Sequence, residues 1–126
     1  MLPKRGNTLN DKNWFVVYTK PRKEFIAVEN LVRQGFTAYC PQTIQPKRRR
    51  KRWQNVSEPL FPRYLFVRMG MNNLALIRST LGLVGLVRFG NEPAVVPQMV
   101  IEAIQRQEQE INKDGIEHPR WKKGLF

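Results

Sequence analysis

Two segments of this chain predict β-strands with apolar side chains on both faces. They are residues 14–19, Trp-Phe-Val-Val-Tyr-Thr, and residues 64–69, Tyr-Leu-Phe-Val-Arg-Met. Because successive side chains of a strand point to opposite faces, Val17 and its neighbour Tyr18 lie on opposite sides of the predicted sheet. A sheet with two apolar faces needs a covering layer on each of them. These strands therefore favour a sheet with helices packed against it. The helices either cover both faces or leave one apolar face exposed, and an exposed apolar face of this kind usually marks a docking surface.

Two further segments predict helices that would supply this cover. Pro21 suits the first position of a helix and Gly35 suits its end. Between them apolar residues recur at helical spacing, namely Phe25, Val28, Leu31 and Val32. A second helix is predicted from Gln98 to about Ile111, with an apolar side formed by Val100, Ile101, Ile104 and Ile111. Both predicted helices are amphipathic, as helices that cover a sheet must be.

Three shorter elements complete the predicted order. Residues 37–44 predict a strand with Cys40 in the core, residues 73–79 a short helix, and residues 86–89 a fourth strand. In the short helix, Leu74 and Ile77 are expected to point inward. The expected fold is α+β, a mostly antiparallel four-stranded sheet flanked by helices.

Six consecutive basic residues form the densest charge of the chain: Lys47, Arg48, Arg49, Arg50, Lys51 and Arg52. The formal net charge is +12, so the chain without this run still carries 12 minus 6, or +6. A balance of this kind indicates a polyanionic partner, with nucleic acid first. The run predicts an exposed arm, either a loop or a hairpin with Trp53 on its return strand. Six phosphate contacts on one single strand would give a salt slope of roughly −4, and the alternative is a solvated loop.

A second cationic group is predicted at the amino end of the first helix, where Lys20, Arg22 and Lys23 stand. The helix macrodipole disfavours positive charge there, so a bound phosphate is one explanation and mere tolerance is the other. Arg33 and Gln34 lie near the opposite end, where a cation suits the dipole without any ligand.

The composition argues against an enzyme or a metal protein. One cysteine and one histidine, Cys40 and His118, are too few for a zinc site, and no pattern of a catalytic nucleophile with its base is present. The acidic residues have no metal-ligand spacing. We therefore expect no catalytic residues and no cofactor. Residues 1–12 are polar, so we expect neither a signal peptide nor a membrane span, and a cytoplasmic location.

Three tryptophans differ in what their positions predict. Trp53 borders the basic run and is the best candidate for stacking on a nucleic-acid base. Trp14 begins an apolar strand and is expected in the core, and Trp121 lies in the tail.

Several motifs in order resemble the amino-terminal domain of NusG-like transcription elongation factors, and most closely the RfaH-type antiterminators. They are Trp14-Phe-Val-Val-Tyr-Thr-Lys20, Ser57-Glu-Pro-Leu-Phe-Pro-Arg-Tyr-Leu-Phe-Val67, Val87-Arg-Phe-Gly90 and Pro93-Ala-Val-Val-Pro97. The resemblance covers about residues 14 to 110. It implies a monomeric sandwich that docks on bacterial RNA polymerase and suppresses pausing.

The resemblance also implies two sets of contact residues. An apolar pocket for the clamp helices of the β′ subunit matches Tyr18, Phe61, Tyr64, Phe66, Ile101 and Ile104. A face that touches single-stranded non-template DNA matches Lys20, Arg33 and Gln34.

This chain departs from the RfaH-type pattern at three points. The RfaH-type pattern has a His-Thr-Thr element that contacts the polymerase β subunit, and Asn73-Leu-Ala75 stands in its place here. The pattern also has an arginine just before the glycine aligned with Gly82, and this chain has Leu81 there. These factors usually carry a carboxy-terminal KOW barrel, which the 126 residues here do not include. The expected organisation is a leader at 1–12, the polymerase-binding domain at 13–111, and at 112–126 a linker or the beginning of a barrel. The alternative function is a stand-alone basic RNA-binding module of ribosomal-protein type.

Overall fold

A computed structural model of the chain describes residues 12–117. The strands are β1 (Asn13–Thr19), β2 (Thr37–Tyr39), β3 (Gln42–Arg49), β4 (Arg52–Pro59), β5 (Tyr64–Met69), β6 (Leu83–Leu86), β7 (Arg88–Phe89), β8 (Glu92–Pro93) and β9 (Val95–Val96). The helices are α1 (Glu24–Arg33), a 3-10 helix (Met71–Ile77) and α2 (Gln98–Glu117). His118, Trp121 and residues 1–11 of the predicted leader lie outside the described residues.

The central sheet is antiparallel and has β1 in its middle. Its order is β2-β5-β1-β6, and β9 also pairs with β1, so it has five strands where the sequence predicted four. In the register of β1 with β5, Val16 lies opposite Phe66 and Tyr18 opposite Tyr64. β3 and β4 form a separate hairpin, as do β7 and β8. The predicted α+β fold is confirmed.

Helix α1 covers one face of the sheet. Phe15 and Val17 of β1 are completely buried there together with Ala27 and Leu31 of the helix. Burying each large apolar side chain in this way stabilises the fold by about 1.5–3 kcal/mol. Helix α2 covers part of the other face, where Ile101 packs against Trp14 and Phe66. The helices thus lie on both sides of the sheet.

Two details of α1 differ from the sequence prediction. The helix begins at Glu24 and not at Pro21, because Arg22 has a φ of 62° and so cannot belong to a right-handed helix. Phe25 and Val32, predicted to face the core, are 41% and 54% exposed. The buried residues of the helix are Glu24, Ala27 and Leu31, and the 3.6-residue turn places both Phe25 and Val32 away from that side.

Three other predicted boundaries were wrong. The strand predicted at 37–44 is divided between β2 and β3, because Cys40 and Pro41 are buried at a corner and proline has no N–H for a sheet. The strand predicted at 86–89 is divided between β6 and β7. Helix α2 continues to Glu117 and passes through Gly115, since an interior glycine costs only about 1 kcal/mol relative to alanine.

Of the four apolar residues predicted on the inner side of the last helix, two are inside. Ile101 is completely buried and Ile104 is half-buried, whereas Val100 and Ile111 are 42% and 39% exposed. No helix within residues 12–117 is long and apolar enough to span a bilayer. The same residues contain no group of three or more His, Cys, Asp or Glu side chains placed to hold a metal ion.

Candidate docking and nucleic-acid surfaces

Three aromatic side chains form an exposed group on the face of the sheet that α2 covers only in part. Tyr18, Phe61 and Tyr64 are 38%, 40% and 37% exposed, and we refer to them as the aromatic surface. The rings of Tyr18 and Tyr64 lie across the strand pair with centroids 5.1 Å apart. Phe61 meets the ring of Phe66 edge-on at 6.4 Å. The rings therefore form two pairs, the first of Tyr18 with Tyr64 and the second of Phe61 with Phe66.

The other predicted contact residues lie beneath this surface. Phe66 is 7% exposed and Ile101 is completely buried, while Ile104 is half-buried. Phe66 shares the face of Tyr18 and Tyr64, as the alternation predicted, but α2 lies over it. The structure therefore leaves Phe66 and Ile101 little surface for a partner to contact. Phe66 packs edge-on against Phe61, and Ile101 packs in one cluster with Phe66.

A proline-flanked turn holds Phe61 and Tyr64 in place. The backbone N–H of Arg63 donates to the buried Glu24 carboxylate at 2.8 Å, and its guanidinium Nε donates to the Thr19 carbonyl at 3.1 Å. The φ of Arg63 is 72°, a left-handed conformation that these bonds stabilise. Neither Glu24 nor Arg63 was predicted to have this role. The available signals were an acidic residue in the first helical turn and an arginine immediately after Pro62.

The basic run forms the outer part of a hairpin, residues 42–59, which we refer to as the basic hairpin. In its register Arg48 lies opposite Trp53 and Arg49 opposite Arg52, so these two pairs are on opposite faces. Lys47 is paired with Glu58 at 2.7 Å. The six cations therefore do not form one surface, and six contacts with a single strand on one face are not available.

The tip of the hairpin is a two-residue turn made of Arg50 and Lys51. Their φ angles are 53° and 66°, which places both in the left-handed region. Two positive φ values match the twist of a hairpin, but glycine and asparagine normally occupy these positions. Two long cationic side chains stand here at a cost in backbone energy.

Side chains of α2 hold the root of the basic hairpin. The carboxylate of Glu108 accepts the N–H of Gln42 at 2.8 Å and the hydroxyl of Tyr39. Asn112 accepts the N–H of Ile44 at 2.9 Å and donates to the carbonyl of Gln42 at 3.0 Å. These groups replace the strand that would otherwise pair with this edge of β3.

Burial changes the acidity of two groups near this anchor. Desolvation, with the hydrogen bond to Glu108, raises the pKa of Tyr39 well above its usual range. Desolvation, with the charges of Glu24 and Glu108, raises the pKa of the Cys40 thiol to about 12. Cys40 is 8% exposed, which agrees with its predicted place in the core.

The remaining predicted nucleic-acid contacts lie at the two ends of α1, and we refer to them as the helix-end group. They are Lys20, Arg22, Lys23, Arg33 and Gln34, and all five are exposed. A helix of ten residues is about 15 Å long, so the two ends are about that far apart. Arg33 is held by its own helix, through Glu29 at 3.6 Å and Asn30 at 3.0 Å.

The turn at residues 80–82 runs beside α1 and connects its two ends. The N–H of Lys20 donates to the carbonyl of Gly82 at 2.9 Å, and the Gln34 amide donates to the hydroxyl of Thr80 at 2.9 Å. Leu81 between them is 69% exposed. Lys20, Leu81 and Gln34 thus border one surface, whereas the basic hairpin is anchored separately on α2.

Comparisons with known proteins agree with this arrangement of elements. A family model described as transcription termination factor nusG matches residues 12–105. The fold is similar to a solved structure of Thermotoga maritima NusG that concerns domain interaction, with 26% sequence identity and a TM-score of 0.51. The similarity covers 79% of this chain and 58% of that one, so this chain spans little more than half the length of that protein. Since the family match extends over most of its residues, this chain belongs to the NusG family of transcription factors.

Proposed function

We propose that this chain is a non-enzymatic transcription elongation factor of the RfaH antiterminator type, which docks on RNA polymerase through its aromatic surface. The single observation that carries this proposal is the exposure of Tyr18, Phe61 and Tyr64 on a face otherwise covered by α2. Aromatic residues are enriched where proteins bind each other, and exposed clusters of them mark docking sites. The proposed partner is the helix pair of the β′ clamp.

The cations supply the second contact of the proposal, with the single-stranded non-template DNA. The helix-end group and the basic hairpin both carry exposed positive charge, and phosphate contacts position a strand without reading its bases. Exposed Leu81 replaces the arginine of the RfaH pattern, so this chain should prefer a different DNA element. Asn73 is half-buried in the 3-10 helix, so the contact with the β subunit should also differ.

The proposed mechanism needs only differential binding. A factor that binds the closed, active polymerase more tightly than its other state increases the population of the closed state. The size of this increase is limited by the difference between the two affinities. A tenfold preference corresponds to about 1.4 kcal/mol. Suppression of pausing follows without a catalytic residue, and the cytoplasm is the proposed location.

Retention on immobilised RNA polymerase at high salt tests the docking surface. Truncating Tyr64→Ala should weaken retention at least tenfold, because buried aromatic anchors at interfaces often contribute about 2 kcal/mol or more. Phe89→Ala is the matched control, since Phe89 is 75% exposed but stands on the β7–β8 hairpin. Equal losses for the two variants would refute the assignment. Complete elution of the unaltered protein by salt would support the RNA-binding module instead.

A further inference from the structure

The two described tryptophans have opposite environments. Trp14 is 6% exposed, and its indole N–H donates to the Gln98 side chain at 2.7 Å. Trp53 is 55% exposed on the outer part of the basic hairpin. Leaving a large aromatic face in water contributes nothing to folding. The position of Trp53 therefore calls for an explanation outside the core.

The register of the hairpin gives Trp53 a specific neighbour. Arg48 lies directly opposite it and shares its face, while the adjacent pair of Arg49 and Arg52 points to the other face. Along the Trp53 face, the next pair toward the root is Pro46 and Asn55, which carry no charge. One indole and one guanidinium thus stand side by side, next to the cationic tip.

The charge of the hairpin selects the kind of partner. Residues 42–59 contain six cationic side chains and one carboxylate, Glu58, which is already paired with Lys47. An apolar protein surface placed on Trp53 would have to desolvate the neighbouring cations, whereas a phosphate backbone would neutralise them. Indole rings and guanidinium planes both stack on nucleobases. In a duplex each base face is already covered by its neighbours, so only an unpaired base offers a free face.

We propose that the Trp53 face of the basic hairpin binds a DNA single strand, with one unpaired base stacked on the indole. Arg48 and the two tip cations contact the adjacent phosphates. This inference deepens the proposed function, since it rests on that function for the source of the strand, the exposed non-template DNA. Three phosphate contacts give a salt slope of roughly −2, about half the value for the whole basic run.

The test measures binding of short fluorescent oligonucleotides by the isolated protein. Trp53→Leu should weaken binding of single-stranded DNA roughly five- to 150-fold, the range for one stacked base. Trp53→Phe keeps a ring and should recover most of the loss, and binding of the duplex should not change. Gln54→Leu is the matched control, because Gln54 is the exposed neighbour on the opposite face.

A pair of charge variants tests the face assignment. Arg48→Gln should reduce the salt slope by about 0.7, and Arg49→Gln should leave it unchanged. The proposal is overturned if Trp53→Leu binds single strands normally, if it loses single strands and duplex equally, or if RNA is bound tenfold more tightly than DNA. Retention of Trp53→Leu on RNA polymerase separates the two ideas. Normal retention together with normal single-strand binding would remove this inference and leave the docking proposal intact.

Discussion

The tip of the basic hairpin allows a quantitative prediction about backbone strain. Arg50 and Lys51 have φ angles of 53° and 66°, and a left-handed conformation costs an ordinary residue about 1–2 kcal/mol. The double variant Arg50→Asn with Lys51→Gly supplies the residues that this turn favours. Glycine loses about 0.5–1 kcal/mol through its greater freedom in the open state. The hairpin should therefore gain about 1–2 kcal/mol against local opening.

Hydrogen exchange at the amides of β3 and β4 is the assay, because it reports local opening. A gain of 1–2 kcal/mol should slow exchange near the tip by roughly five- to thirtyfold. The matched control is Arg50→Gln with Lys51→Gln, which removes the same two charges and leaves the backbone conformation unrelieved.

The comparison of the two double variants decides the outcome. If both tip cations contact phosphate, the salt slope of single-strand binding should be shallower by about 1.4 in both variants. Only the Asn-Gly variant should show the slower exchange. If exchange slows equally in both, charge repulsion and not backbone strain destabilises the tip, and the reasoning from the φ angles is wrong.

Three further predictions concern the core and the anchor. Gly82→Ala should lower the free energy of unfolding by about 2–4 kcal/mol in urea, because its φ is +95° and its Cβ would lie 3.2 Å from that of Ala27. Gly35→Ala, with φ +96° and open space, should lose only the strain, and Gly85→Ala should lose least. The free energy of unfolding should fall as the pH rises from about 9 to about 12, because the pKa of Cys40 is raised to about 12 and folding favours the neutral thiol. In melts recorded over this pH range, Cys40→Ala should flatten the fall. Glu108→Ala should cost about 1–3 kcal/mol and speed exchange in the basic hairpin, whereas exposed Glu110→Ala should do neither.

The central strands and their two apolar faces followed from local patterns. Alternation in β1 and β5 placed Val17 and Tyr18 on opposite faces, and the structure keeps that division. The helix boundaries were less predictable because they depend on backbone conformation. Nothing in the side-chain pattern indicates that Arg22 has a positive φ or that α2 passes through Gly115.

Much of the candidate site depends on contacts between distant residues. Strand alternation put Phe66 on the same face as Tyr64, but only the position of α2 determines that one is buried and the other exposed. Glu108 and Asn112 bind β3 across more than sixty residues, and no local spacing marks such a contact. The basic run was evident from the amino-acid sequence, but its division between two faces of the hairpin could be seen only from the register of β3 with β4.

The grip of α2 on β3 has a consequence for any shortened form of this protein. The family match ends at residue 105, after Ile101 and Ile104 but before Glu108 and Asn112. A chain trimmed to the matched segment would keep Ile101 and Ile104, which pack in one cluster with Phe66. It would lose the hydrogen bonds from Glu108 and Asn112 that fix the orientation of the basic hairpin relative to α2. Such a fragment should still bind its protein partner, but its basic hairpin should no longer be held in a fixed orientation for binding nucleic acid.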